Sequence, residues 1–94
     1  MSKTILIAED EGVLRRLIER VLLKNGYTVV LAQDGREALE QLQLHSIDTA
    51  LIDVNMPVVS GLEVLTAIQQ QYGNIRTILT SGDVASVYSH EVSH

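Results

Sequence analysis

The chain has no cysteine, which excludes disulfides, zinc–thiolate centres and thiol nucleophiles. Basic residues are scarce. Lys and Arg total 7 against 12 Asp and Glu, for a formal net charge of −5. A surface that replaces the counterions of a nucleic acid needs the opposite balance, so no nucleic-acid partner is expected. Long apolar runs are also lacking, and none approaches the length of a membrane span. The start carries one lysine, Lys3, and a short apolar stretch that runs at once into Glu9, Asp10 and Glu11. That is not the layout of a signal peptide. We therefore expect a cytoplasmic protein with no membrane attachment.

What is present fits one small domain, residues 1–94, with 46% apolar and 20% charged residues. Residues 4–8 form an apolar run too short for a helix, which reads as a buried parallel strand. Val13, Leu14, Leu17, Ile18, Val21 and Leu22 recur at spacings of three and four, the pattern of an amphipathic helix. Asn25-Gly26 stops it. Residues 27–32 are a β-branched second strand. Asp34 then caps a helix, with Glu37 three residues on as in a capping box, and Ala38, Leu39, Leu42 and Leu44 give its apolar side. Residues 49–52 are a third strand that ends at Asp53. A loop with the only proline, Pro57, leads to a helix over 61–71, with Leu62, Leu65 and Ile68 facing inward. Residues 77–80 are a fourth strand. Beyond it Asp83 is a plausible cap, and Val84, Val87, Tyr88 and Val92 at helical spacing predict a short terminal helix.

Strict alternation of strand and helix implies a parallel α/β sheet with right-handed crossovers. In such sheets the working crevice lies beyond the carboxyl ends of the strands. Strand one ends in Glu9 and Asp10, strand three in Asp53, and strand four in Thr80 and Ser81. Each acid taken alone reads as a solvated loop residue. Three like charges at one rim call for compensation, and a hard divalent cation such as Mg²⁺ supplies it.

These residues resemble the receiver domain of bacterial two-component response regulators. The resemblance rests on Glu9-Asp10 after strand one, on Leu51-Ile52-Asp53-Val54-Asn55-Met56-Pro57, on Gly61 opening the next helix and on Leu79-Thr80-Ser81-Gly82. It covers nearly the whole chain. It implies a three-layer, flavodoxin-like fold with strand order 2-1-3-4, and Asp53 as phosphoacceptor. It implies Mg²⁺ held by Asp10 and Asp53, by Glu9 through a water and by the backbone carbonyl of Asn55. The hydroxyl that follows the phosphoryl group matches Ser81, with Thr80 as its rival. The implied partner is a histidine kinase or a phosphotransfer protein. The module is then no enzyme beyond its own phosphorylation and dephosphorylation.

The chain departs from the family in its last part. A receiver continues through a fifth strand and helix, and the loop after that strand carries a lysine. Here the lysines are Lys3 and Lys24, and Arg76 precedes strand four, so none matches. The expectation is a domain that lacks the fifth strand and helix, and in which Tyr88 takes no switch role. Strand four would then be an open edge, which predicts a homodimer through strand four or by exchange of the C-terminal segment.

Other readings weigh less. A haloacid-dehalogenase type phosphatase needs a second acid where Asn55 stands. A flavodoxin-like cofactor binder would not place Glu9-Asp10-Glu11 against a phosphate. A degenerate receiver that only binds partners is the alternative kept open by the missing lysine. His90 and His94 share the i, i+4 spacing of a metal pair but lack a third ligand, and His45 reads as solvent-facing.

Overall fold

The computed structural model describes residues 3–80 and the backbone of residues 87–90. The elements are β1 (Thr4–Ala8), α1 (Gly12–Lys24), β2 (Thr28–Ala32), α2 (Gly35–Leu44), β3 (Thr49–Asp53), α3 (Gly61–Gln71), β4 (Arg76–Thr80) and β5 (Val87–His90). The strands lie in the order β2-β1-β3-β4-β5. The first four are parallel, so the expected order 2-1-3-4 holds. The register sets Ala8 against both Ala32 and Ile52, and Asp53 against Thr80, which brings the carboxyl ends of four strands level.

The C-terminal segment differs from expectation. Residues 87–90 form neither a helix nor a gap but a fifth strand, paired antiparallel to β4. Only residues 81–86 separate the two strands. A parallel neighbour would need a crossover of about 10 residues or more, so a chain that returns so soon must run antiparallel. Val87 and Tyr88 favour a strand by type, and helical spacing over so few residues is a weak signal. The edge of β4 is therefore paired, and the open edge from which a strand-four dimer was expected does not exist. Asp83, Val84, Val92 and His94 lie outside the described residues.

The helices begin and end on local chemistry. Asp34 caps α2 by accepting from the Glu37 N–H at 2.8 Å. The Glu37 carboxylate reaches back to the Gln33 N–H at 3.2 Å, one residue before the cap. Ser60 accepts from the Glu63 N–H at 3.3 Å and starts α3. Beyond α1, the Gly26 N–H bonds the Leu23 carbonyl and the Tyr27 N–H bonds the Leu22 carbonyl, both at 3.1 Å, with Gly26 at φ 87°. This paired pattern is the Schellman stop.

The main core lies between the sheet and α2 and α3. Leu6, Ala50, Ile52, Val64 and Ile68 are fully shielded there. In α3 the inward row is Gly61, Val64 and Ile68, so Leu62 points outward at 58% exposure, against expectation. One residue of offset turns a helical side chain by about 100°, which moves position 62 off the row through 61, 64 and 68. Leu44 at the end of α2 is exposed as well. On the other face α1 covers β1 and β2 yet contributes no buried residue. Its apolar stripe splits into a half-buried row, Leu14, Ile18 and Leu22, and an outer row, Val13, Leu17 and Val21, each more than half exposed.

Candidate functional site

Strand continuation places the first acid. The Glu9 N–H donates to the Ala32 carbonyl at 3.1 Å, which extends the β1–β2 ladder by one residue. Glu9 is thereby drawn in and is 3% exposed, whereas Asp10 next to it is exposed. Asp53 closes β3 and is 4% exposed. Glu9, Asp10 and Asp53 each bring one carboxylate oxygen within 4.8 Å of the others. The sequence named these three acids, and the fold gathers all of them.

The loop after β3 is fixed by its backbone. The Val54 N–H donates to the Thr80 carbonyl at 2.7 Å and the Gly61 N–H to the Val54 carbonyl at 3.1 Å. A side chain at Gly61 would run into the Asp53 carbonyl, so only glycine lets α3 begin this close. The Asn55 N–H donates to Asp53 Oδ1 at 3.0 Å, which fixes the orientation of the carboxylate. Asn55 itself is exposed. Thr80, half-buried, is the register partner of Asp53, and Ser81 lies outside the described residues.

Burial pushes the Glu9 carboxyl up to about 7. The Glu11 N–H, which donates to Glu9 Oε2 at 3.1 Å, opposes this. The Asp53 charge, and hydrogen bonding to the Asp53 and Asp10 carboxylates, add to the rise. A buried acid held up by two others is the electrostatic signature of a site short of positive charge. Carboxylate oxygens at such spacing form a donor set that suits Mg²⁺, a hard cation that takes a few acidic ligands and keeps waters. Glu9, Asp10 and Asp53 would hold it. Bound there, it would neutralise charge on anionic oxygens brought to Asp53.

The match to known proteins follows the same residues. The profile of the response regulator receiver domain family covers residues 5–93. The chain belongs to that family. The receiver domain is 37% identical over 82 residues to the chemotaxis protein CheY of Bacillus subtilis, covering 86% of this chain and 68% of CheY. It is 36% identical over 72 residues to the response regulator GtcR of Aneurinibacillus migulanus, covering 77% of this chain but 30% of GtcR. Among solved structures it is similar to the response regulator TrrA of Thermotoga maritima in complex with Mg²⁺-BeF. That likeness has a TM-score of 0.76 and 33% identity, over 80% of this chain and 65% of TrrA. It is also similar to a crystal structure of histidine kinase ThkA in complex with TrrA, with a TM-score of 0.79 and 34% identity, over 98% of this chain and 75% of that one. Receiver domains are signalling modules of two-component systems, and the acidic rim of this one fits the phosphoacceptor role.

Other residues singled out in the sequence lie away from the rim. Arg76 opens β4 at the opposite end of the sheet, and Lys24 ends α1. His45 is exposed and lines a cavity of about 300 Å³ with Leu42, Ile47, Tyr72 and Ile75, below α2 and α3. No described helix is long and apolar enough to cross a membrane. One residue at the rim was not singled out from the sequence. Arg15 reaches the rim, where its Nη1 donates to the Glu9 carbonyl at 2.7 Å. Its place one turn into α1, within reach of the loop after β1, was the available signal.

Proposed function

We propose that Asp53 accepts a phosphoryl group in a Mg²⁺-dependent transfer, and that the chain acts as the phosphoacceptor module of a two-component phosphorelay. The observation that carries this is the gathering of three carboxylates at the carboxyl rim, with Asp53 buried at the strand end. An Asp53 carboxylate oxygen attacks the phosphorus of a phosphohistidine. The new O–P bond forms as the P–N bond breaks, and the imidazole nitrogen keeps that electron pair. Glu9 and Asp10 flank the acceptor and hold the metal with it. The Asn55 N–H keeps the Asp53 carboxylate turned for attack. By resemblance Ser81 donates to the transferred group and Asn55 lends its carbonyl to the metal. Thr80 is the rival hydroxyl, supported by its register with Asp53.

The proposed donor is a histidine kinase or phosphotransfer protein in the cytoplasm. The exposed row Val13, Leu17 and Val21 begins just after the acidic loop and offers such a partner an apolar strip beside the acceptor. A dimer through the β4 edge is closed by β5. Exchange of the C-terminal segment is the other route proposed for a dimer, and light scattering over a concentration series reads it. The test of function is incubation with a small phosphodonor and Mg²⁺, followed by intact mass. A gain of one phosphoryl group that is lost in Asp53→Asn supports the reading. No gain in the parent chain, or an equal gain in Asp53→Asn, refutes it.

A further inference from the structure

We propose that Arg15 is a positioning residue for the cation site: its side chain ties the residue before Asp10 to α1 and so fixes where that carboxylate stands. The proposal rests on the reading of Glu9, Asp10 and Asp53 as a Mg²⁺ site. Arg15 lies in the first turn of α1, and helix geometry tilts its side chain back towards the helix start. The guanidinium crosses over Gly12, where a Cβ would meet Nη2 at 3.6 Å, an ordinary contact. Nη1 then donates to the Glu9 carbonyl at 2.7 Å. The Arg15 backbone N–H donates to the Glu11 carbonyl at 2.9 Å. The first bond belongs to the side chain and falls on the residue before Asp10; the second is the main-chain bond that opens α1 just after Asp10 and that any residue here would make.

Asp10 needs such support more than its fellow acids do. Glu9 and Asp53 are buried, and surrounding atoms restrict them, but Asp10 is exposed. Its position depends on the loop that carries it. The loop is tied to β2 through the Glu9 N–H and across itself by the Glu11 N–H on Glu9 Oε2. Arg15 adds the link from this loop to the helix, and a hydrogen bond from a charged donor is among the stronger kinds. An exposed ligand on a loosely tied loop would have to be ordered each time a cation binds, and a pre-set one would not.

Charge and geometry make opposite forecasts, which lets experiment separate them. A guanidinium close to a cation site repels Mg²⁺, so if charge were its whole effect its removal would tighten binding. If Arg15 positions Asp10, its removal weakens binding. In an NMR titration with MgCl₂ we expect Arg15→Met to bind about tenfold more weakly than the parent, the size typical when a group that orients a metal ligand is lost. Arg15→Lys, which keeps a charged donor on a long stem, should recover most of the affinity. In the metal-free protein the Glu11 amide should exchange faster in Arg15→Met, while the Leu6 and Ile52 amides keep their protection and show that the sheet is intact. Unchanged or tighter Mg²⁺ binding by Arg15→Met overturns the proposal, and so does an unaltered Glu11 exchange rate. If the parent chain gives no response to Mg²⁺, the cation-site reading falls, and Glu11 exchange alone then judges the Arg15 link.

Discussion

The Val59 backbone carbonyl occupies the space that a side chain at Gly35 would need. The loop that follows Asp53 is thus seated on the first turn of α2, backbone against backbone. We expect Gly35→Ala to lower stability by about 1–3 kcal/mol, the usual cost of overpacking, although alanine favours a helix. The midpoint of chemical denaturation measures it. An unchanged or higher midpoint would show that the loop can retreat without cost.

One residue before Val59 the same loop stores strain. Val58 has φ 69°, a region that β-branched side chains avoid, and the Val59 N–H closes a tight turn onto the Pro57 carbonyl at 2.8 Å. Val58 is also 80% exposed, so its side chain adds little packing. Val58→Gly should therefore stabilise the domain by about 1 kcal/mol, strain relief outweighing the extra freedom of the unfolded chain. A destabilised variant in thermal and denaturant unfolding would contradict this.

The acidic rim sets function against stability. Asp53→Asn removes one charge from the cluster and keeps an oxygen to accept from the Asn55 N–H. The metal-free variant should be more stable than the parent by about 1 kcal/mol at low salt, with the gain shrinking as salt screens the rim. A lower midpoint for Asp53→Asn would count against the charge argument.

Addition of Mg²⁺ should raise the melting temperature of the parent by mass action. Asp10→Asn should lose most of that rise. Melts with and without millimolar Mg²⁺ decide it, and an equal shift in both proteins would remove Asp10 from the site.

Glu9 gives the site a pH dependence of definite sign. Its carboxyl is raised from 4.5 to about 7 in the fold, so between these values the native state binds more protons than the unfolded chain. The Glu9 contribution to stability is therefore fully present below about pH 4.5 and is lost as pH rises towards 7. Mg²⁺ must displace that proton, so its affinity should climb over the same window. In Glu9→Gln both dependences should flatten. Stability measured from pH 5 to 8 without metal, and Mg²⁺ titrations across that range, test the two arms.

Much of this was legible in the sequence because period and punctuation agree. The alternation of strands and helices, the Asp34 cap and the gathering of Glu9, Asp10 and Asp53 all follow from residue type and order. What was not legible depends on what each residue meets in space rather than on local period. Residues 87–90 become a strand because β4 offers an edge to pair with, and helical spacing in the sequence does not state that. Leu62 faces out because Gly61 and Val64 take the inner row. Arg15 turns to the rim because the Glu9 carbonyl there accepts from its guanidinium, whereas Arg16 and Arg20, equally basic, stay exposed.

α1 contributes no buried residue to the core. Local opening costs least where few apolar contacts must break, so α1 should be the first helix to exchange its amides and the last to dock during folding. A protein that covers Val13, Leu17 and Val21 would damp this breathing. Because Arg15 ties α1 to the Asp10 loop, the quieting of the helix would reach the acids at its foot. Docking of a donor and sharpening of the acceptor site would then be two faces of one equilibrium, each favouring the other to the same degree.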